Sequence, residues 1–234
     1  MASALILQTQ DNCPPGLLAN WSASRGVALD VLRVDRWSEL PSPSGYSFAV
    51  LLGSDESAAG SPQPWVEREL EWIRRADASG LAVLGICFGA QALAVALGGA
   101  ITRLPTPELA WIELETSDGE QIPAGPWLAL HDDRITLPPF AYELARNDFG
   151  PQAFTVGRHL GVQFHPEVTP PILSRWLADK ADRVADVRAA LLADVRERCR
   201  TAAAAAFDLF DAFAQRAGAR AAPTLAAGGD QTWR

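Results

Sequence analysis

The stretch Val83-Leu84-Gly85-Ile86-Cys87-Phe88-Gly89-Ala90-Gln91 decides the fold. Residues 81–86 are a short apolar run of the kind that forms a buried strand, and the chain beyond Cys87 suits a buried helix. A strand that gives way to a helix at Gly-x-Cys-x-Gly matches a nucleophile elbow, in which flanking glycines relieve crowding and the middle side chain is thrust towards substrate. At a helix amino terminus the unpaired N–H groups and the macrodipole favour thiolate over thiol and can bind a developing oxyanion. A structural cysteine at a strand–helix joint would account for the same five residues. Residues 81–101 are also uncharged over 21 positions, the length of a bilayer span. Gly85, Gly89, Gln91, Gly98 and Gly99 interrupt them, and the flanks lack Lys/Arg asymmetry and aromatic anchors, which favours strand, turn and helix.

Working outward, short runs rich in Val, Ile or Leu recur at 4–7, 27–34 and 48–52, and with 81–86 they read as strands buried on both faces. Between the last two, residues 64–78 place Trp65, Leu70, Trp72 and Ile73 among charged residues in helical fashion, with Pro62 and Pro64 near the start. Alternating strand and helix imply a mostly parallel sheet with helices on its faces and ligands at the carboxyl ends of the strands. From 101 to 162 the segments shorten, and strands at 110–115, 127–130, 153–156 and 160–164 are expected as antiparallel hairpins continuing the sheet edge. After Pro170 and Pro171, the spacing of Val184, Val187, Leu191, Val195 and Cys199 predicts one amphipathic helix. Phe207, Phe210 and Phe213 predict a second helix or a continuation. Packing of these faces on the domain is the expectation, with partner docking as the alternative. The expected division is a catalytic domain over 1–177, amphipathic helices over 178–217 and a mobile Ala/Gly-rich tail over 218–234.

The chain has 234 residues, 48% apolar and 21% charged, which suits one large domain or one domain plus an appendage at about 150 residues per domain. A formal charge of −8 argues against nucleic acid or an anionic membrane surface as partner. Cys13, Cys87 and Cys199 are scattered without the spacing of a zinc site or a disulfide framework, which fits a reducing cytoplasm, and no metal site is expected. Residues 1–10 lack the basic start and small-residue cleavage pattern of a signal peptide and read as a first strand. There is no P-loop lysine motif and no dinucleotide fingerprint.

The second chemical element is Phe164-His165-Pro166-Glu167. Pro166 disfavours helical backbone at His165, so the segment is extended and His165 and Glu167 project to the same side. A carboxylate beside imidazole fixes its tautomer and stabilises the imidazolium, as a partner of a thiolate requires. Alone, a His-x-Glu pair is weak evidence. His159 stands in no motif and is expected at a surface hairpin position.

Taken together, residues 48–177 resemble the class I (triad) glutamine amidotransferases and the related γ-glutamyl hydrolases. The resemblance rests on Pro64-Trp65 with the following helix, on the block around Cys87, and on Gln163-Phe164-His165-Pro166-Glu167. His131-Asp132-Asp133 with Leu137-Pro138, and Gln152-Ala153-Phe154, are similar to the GMP-synthase-like branch. The resemblance implies a flavodoxin-like three-layer α/β sandwich with a C-terminal helical appendage. It implies Cys87 as nucleophile, His165 as general acid/base and Glu167 as the orienting carboxylate. The N–H groups of Gly53 and Phe88 would form the oxyanion hole, although Ser54 and Asp55 stand where the family usually has a second glycine and the residue after it. Gln91, Ser54, His131, Asp132 and Asp133 are the expected substrate-binding residues, the side chains of His131 and Asp133 being as readily structural. The implied reaction is hydrolysis of the glutamine side-chain amide with no cofactor, the ammonia passing to a separate ATP-dependent synthetase. A γ-glutamyl peptide or amide hydrolase with the same triad, and a non-catalytic regulatory or scaffold subunit, are the alternatives. Homo-oligomerisation is left open.

Overall fold

A computed structural model describes residues 2–219 apart from 117 and 120. Most of the tail expected from 218 onward therefore lies outside the described residues. The elements in chain order are β1 (Ser3–Gln8), α1 (Leu17–Arg25), β2 (Ala28–Arg33), β3 (Phe48–Leu51), α2 (Pro64–Ala78), β4 (Val83–Ile86), α3 (Phe88–Ala96), β5 (Ala100–Ile112), β6 (Glu115–Thr116), β7 (Trp127–Thr136), β8 (Tyr142–Asn147), β9 (Gly150–Val156), β10 (His159–Val162), α4 (Pro170–Asp179), α5 (Arg188–Leu192) and α6 (Val195–Arg216).

Eight strands form the main sheet in the order β2-β1-β3-β4-β10-β9-β8-β6, parallel from β2 to β10 and antiparallel beyond. Side chains alternate across it. Ala4, Ile6, Phe48 and Val50 pack with Leu17 and Trp21 of α1 and Phe210 and Phe213 of α6. Leu5, Leu7, Ala49 and Leu51 pack with Leu70 and Ile73 of α2 and Leu93 of α3. The molecule is thus the mixed α/β, three-layer arrangement that the strand–helix alternation predicts, with helices on both faces of a mostly parallel sheet.

Four sequence expectations are corrected by the structure. The run 27–34 is not buried on both faces: β2 is an edge strand whose Val31 is 43% exposed, since only β1 flanks it. Within 101–162, β8, β9 and β10 continue the sheet as expected, but β5 and β7 pair only with each other. Their register shifts between Arg103 and Glu108, where Pro105 and Pro107 cannot donate to a ladder. Leu109, Trp111, Leu128 and Leu130 of this ribbon pack with Leu173 and Trp176 of α4 and with Leu191 of α5, away from the main sheet. Finally, the single helix expected through Val184–Cys199 is broken. Val184 and Leu191 serve that third cluster whereas Ala206 and Phe210 serve the sheet, and the chain turns between them at Asp194, with φ 50°. His159 is likewise not on the surface. It is buried at the start of β10, with Nε2 3.1 Å from Asp77 Oδ1 at the end of α2, and burial holds its pKa below the ordinary histidine value.

Candidate active site

The carboxyl ends of β3, β4 and β10 converge, as expected for a ligand site in a parallel sheet. Cys87 follows β4 as the N-cap of α3, with φ 52° and ψ −108°, a region that non-glycine residues rarely occupy. Its N–H donates to Val162 O on β10 at 2.8 Å, while its own carbonyl accepts from Ala90 and Gln91 and starts the helix. The flanking glycines are demanded by contact. A Cβ at Gly85 would lie 2.4 Å from Gly89 O, and one at Gly89 would lie 2.3 Å from Leu51 O. As first residues of α3, Phe88 and Gly89 carry N–H groups with no intrahelical acceptor, beside the sulfur.

His165 follows β10. Its N–H donates to Leu128 O at 2.9 Å, and its ring packs on Trp176 of α4 with centroids 4.7 Å apart. Nδ1 lies 2.8 Å from Glu167 Oε1, both side chains being buried. An ionised carboxylate only accepts, so Nδ1 carries its proton towards Glu167 and Nε2 is left for chemistry. Burial alone would lower the pKa of His165; the charges of Glu167 and Cys87, with hydrogen bonding to both, outweigh it and raise the value to about 10. Glu167 is itself pinned, its carbonyl accepting from Leu17 N at 2.9 Å. Gly16, with φ 54°, is needed there because a Cβ would sit 2.0 Å from that carbonyl oxygen.

Gly53, just beyond β3, closes the set. A Cβ on it would lie 3.3 Å from His165 Cε1 and 3.9 Å from Cys87 Cβ, so the glycine backbone lies against both. Thr9 Oγ1 donates to the Gly53 carbonyl. Ser54 turns its hydroxyl to its own loop, accepting from Glu56 N at 3.1 Å and lying 3.3 Å from Gln10 Oε1. Gln91 is buried one turn into α3; its Nε2 donates to Gln163 Oε1 at 3.3 Å, and Gln163 Nε2 in turn lies 3.7 Å from Cys87 Sγ.

Cys87, Gln91, Ser54, His131, Asp132 and Asp133 all line one cleft of about 410 Å3, counting its solvent-open part. A roomier groove beside β2, lined by Trp37, Leu40 and Tyr46, contains none of the sequence-predicted site residues. His131 on β7 is clamped from both ring nitrogens, Nε2 lying 2.6 Å from Glu108 Oε2 and Nδ1 3.0 Å from Asp133 O. Glu108 also accepts from Gln152 Nε2 at 2.9 Å and from Asn147 Nδ2. Asp132 pairs with Arg103 at 2.9 Å and with Arg183, and Asp133 lies 3.7 Å from Arg103 and accepts from Ser57 Oγ at 3.2 Å.

Sequence reasoning missed Gln163, Glu108 and the cations Arg103, Lys180 and Arg183, all at or next to the cleft. Two-residue alternation back from His165 points to Gln163. Glu108 faces His131 directly across the β5–β7 ladder, a pairing that only the correct register reveals. No local pattern marks the three cations.

The glutamine amidotransferase class-I family model matches residues 17–182, and the chain belongs to that family. Among curated relatives, a GMP synthase [glutamine-hydrolyzing] of Mycobacterium leprae is 39% identical over 130 residues, which cover 50% of this chain and 24% of that protein. The Aeropyrum pernix protein of the same description is 35% identical over 134 residues, covering 52% of this chain and 26% of its own. The matched segments thus span about a quarter of those relatives. Two solved structures share the fold: a glutamine amido transferase from Methylobacillus flagellatus (TM-score 0.82, 23% identity, 92% of this chain and 94% of that one) and a glutamine amidotransferase from Thermotoga maritima (TM-score 0.82, 23% identity, 91% and 97%). Among the described residues no helix is long and apolar enough to cross a membrane.

Proposed function

We propose that this chain hydrolyses the side-chain amide of glutamine through a γ-glutamyl thioester on Cys87 and delivers the ammonia to a separate, ATP-dependent acceptor enzyme. The observation that carries this is a strained elbow cysteine that lines a cleft at a helix terminus with unpaired N–H groups and lies beside the imidazole that Glu167 holds. The Cys87 thiolate attacks the carboxamide carbon, and the N–H groups of Gly53 and Phe88 receive the negative oxygen of the tetrahedral intermediate. His165, held as imidazolium by Glu167, gives its proton to the departing amine, which leaves as ammonia. Water then gives a proton to the imidazole and attacks the thioester, releasing glutamate and restoring the thiol. Gln91 and the backbone at 131–133 border the space left for the amino-acid head of the substrate.

The likeness to GMP synthases supports glutamine as substrate and a synthetase as partner. Ammonia release by the purified chain from glutamine, but not from γ-glutamyl amines or glutathione, tests the reading, with Cys87→Ser as the control that abolishes it. Equal release of amines from γ-glutamyl amides would instead place the chain with the γ-glutamyl hydrolases. A chain that neither turns over these substrates nor is labelled at Cys87 by a glutamine-analogue electrophile would be a non-catalytic subunit.

A further inference from the structure

The loop that follows β3 departs from the family's usual pair of glycines, and its tethers are unevenly built. From the β1 side it is held by uncharged groups: Thr9 at the Gly53 carbonyl, and Gln10, whose Nε2 lies 2.8 Å from Asp55 Oδ2 and whose Oε1 accepts from Asp55 N at 3.2 Å. From across the cleft it is held by Ser57 Oγ, which donates to Asp133 Oδ2 at 3.2 Å, and by Lys180 Nζ on Asp55 Oδ1, the one ion pair this loop makes among the described residues. Although partial burial works against ionisation of Asp55, its hydrogen bonds to Lys180 and Gln10 win and lower its pKa.

Lys180 ends α4, the same helix whose Trp176 packs on the His165 ring. That end of α4 is fixed in turn, since Trp176 Nε1 donates to Asn12 O at 2.6 Å, Asp179 accepts from Asn12 Nδ2 at 2.9 Å, and Arg188 donates to Leu177 O. Three residues on, Arg183 pairs with Asp132 on the opposite wall, so the 180–183 turn spans the cleft mouth.

We infer that Lys180 is a positioning residue, a clasp that sets the 53–57 loop, and with it the Gly53 oxyanion donor, against an imidazole held by the same helix. Asp55 is half exposed, so the pair adds little to global stability. Its leverage is geometric: oxyanion donors act only when correctly placed, and a displacement of about 1 Å can cost roughly 100-fold in rate. The activity arm of the test rests on the glutaminase reading above; the exchange arm does not.

In the full chain, Lys180→Met is expected to lower kcat for glutamine by about 10-fold or more while KM stays within about 2-fold. Lys180→Arg, and the charge exchange Asp55→Lys with Lys180→Asp, should recover most of that loss. Amide hydrogen exchange across 53–57 should quicken in Lys180→Met and return in the exchanged pair. Unchanged exchange in Lys180→Met, or quickened exchange that the swap does not restore, overturns the clasp. A rise in KM alone also overturns it, by making Lys180 a substrate contact. If the exchange results hold while the unmodified chain releases no ammonia, the clasp stands and the glutaminase reading fails.

Discussion

At the residue scale the His165–Glu167 pair governs how the site responds to pH. The folded-state value of about 10 lies above the 6.5 of a free histidine, so the ion pair contributes stability fully below about pH 6.5 and loses it as pH rises through about 10. An NMR titration of His165 should therefore find the imidazolium still present at pH 8, and Glu167→Gln should move its midpoint down and reduce kcat roughly 100-fold or more. A midpoint near 6.5 in both proteins would contradict the pairing. Glu69 also loses stability as pH rises, but because the fold keeps its neutral rather than its charged form. It is wholly buried in α2, neither carboxylate oxygen has a hydrogen-bond partner among the described residues, and burial pushes its pKa up to about 8. The folded state thus keeps a proton that the unfolded chain releases near 4.5, and stability falls between those values by up to about 1.4 kcal/mol per pH unit. Glu69→Gln should remove this loss, so urea melts of the two proteins should diverge from pH 5 to pH 8, the variant becoming relatively more stable; parallel curves would contradict it. Cys87 and His165 were legible because each lies in a local pattern with its own chemistry. Glu108 and Lys180 were not, because each acquires its role from a residue on another element, 23 and 125 positions away respectively.

At the element scale two joints carry the site. The first is α3 against β3, where Gly89 leaves no space for a methyl group. Gly89→Ala should force the helix outward, lowering stability by about 1–3 kcal/mol and slowing alkylation of Cys87 by iodoacetamide, as thermal melts and labelling rates would report. The second is α6 against α1. Asp211 accepts from Trp21 Nε1 at 2.8 Å and pairs with Arg25 at 2.7 Å, while Phe210 packs on Trp21 with centroids 5.8 Å apart. Phe210→Ala should cost about 3–5 kcal/mol in denaturant melts, which would make α6 integral to the folded unit; a change within 0.5 kcal/mol would make it a dispensable appendage. The parallel strands and α2 were readable because runs such as 48–52 are continuous and apolar and α2 begins at a proline. The β5–β7 ribbon and the break at Asp194 were not, since an apolar period reports a buried face without saying which layer buries it.

At the scale of the whole molecule, the crossover topology explains why residues 78 positions apart meet. β4 and β10 are neighbours in the sheet, in register from Leu84 with Leu160 to Ile86 with Val162, so their carboxyl ends present Cys87 and His165 side by side. The intervening β5–β9 make an excursion that walls the cleft through His131 and Asp133 before the chain returns. The measurement that tests the central claim most directly is acid-quenched mass spectrometry of the chain mixed with glutamine. A γ-glutamyl adduct on the peptide that carries Cys87, building up when His165 is replaced by Asn after slow acylation and absent in Cys87→Ser, is the predicted result. Glutamine turnover with no adduct at Cys87, or turnover that persists in Cys87→Ser, would contradict it.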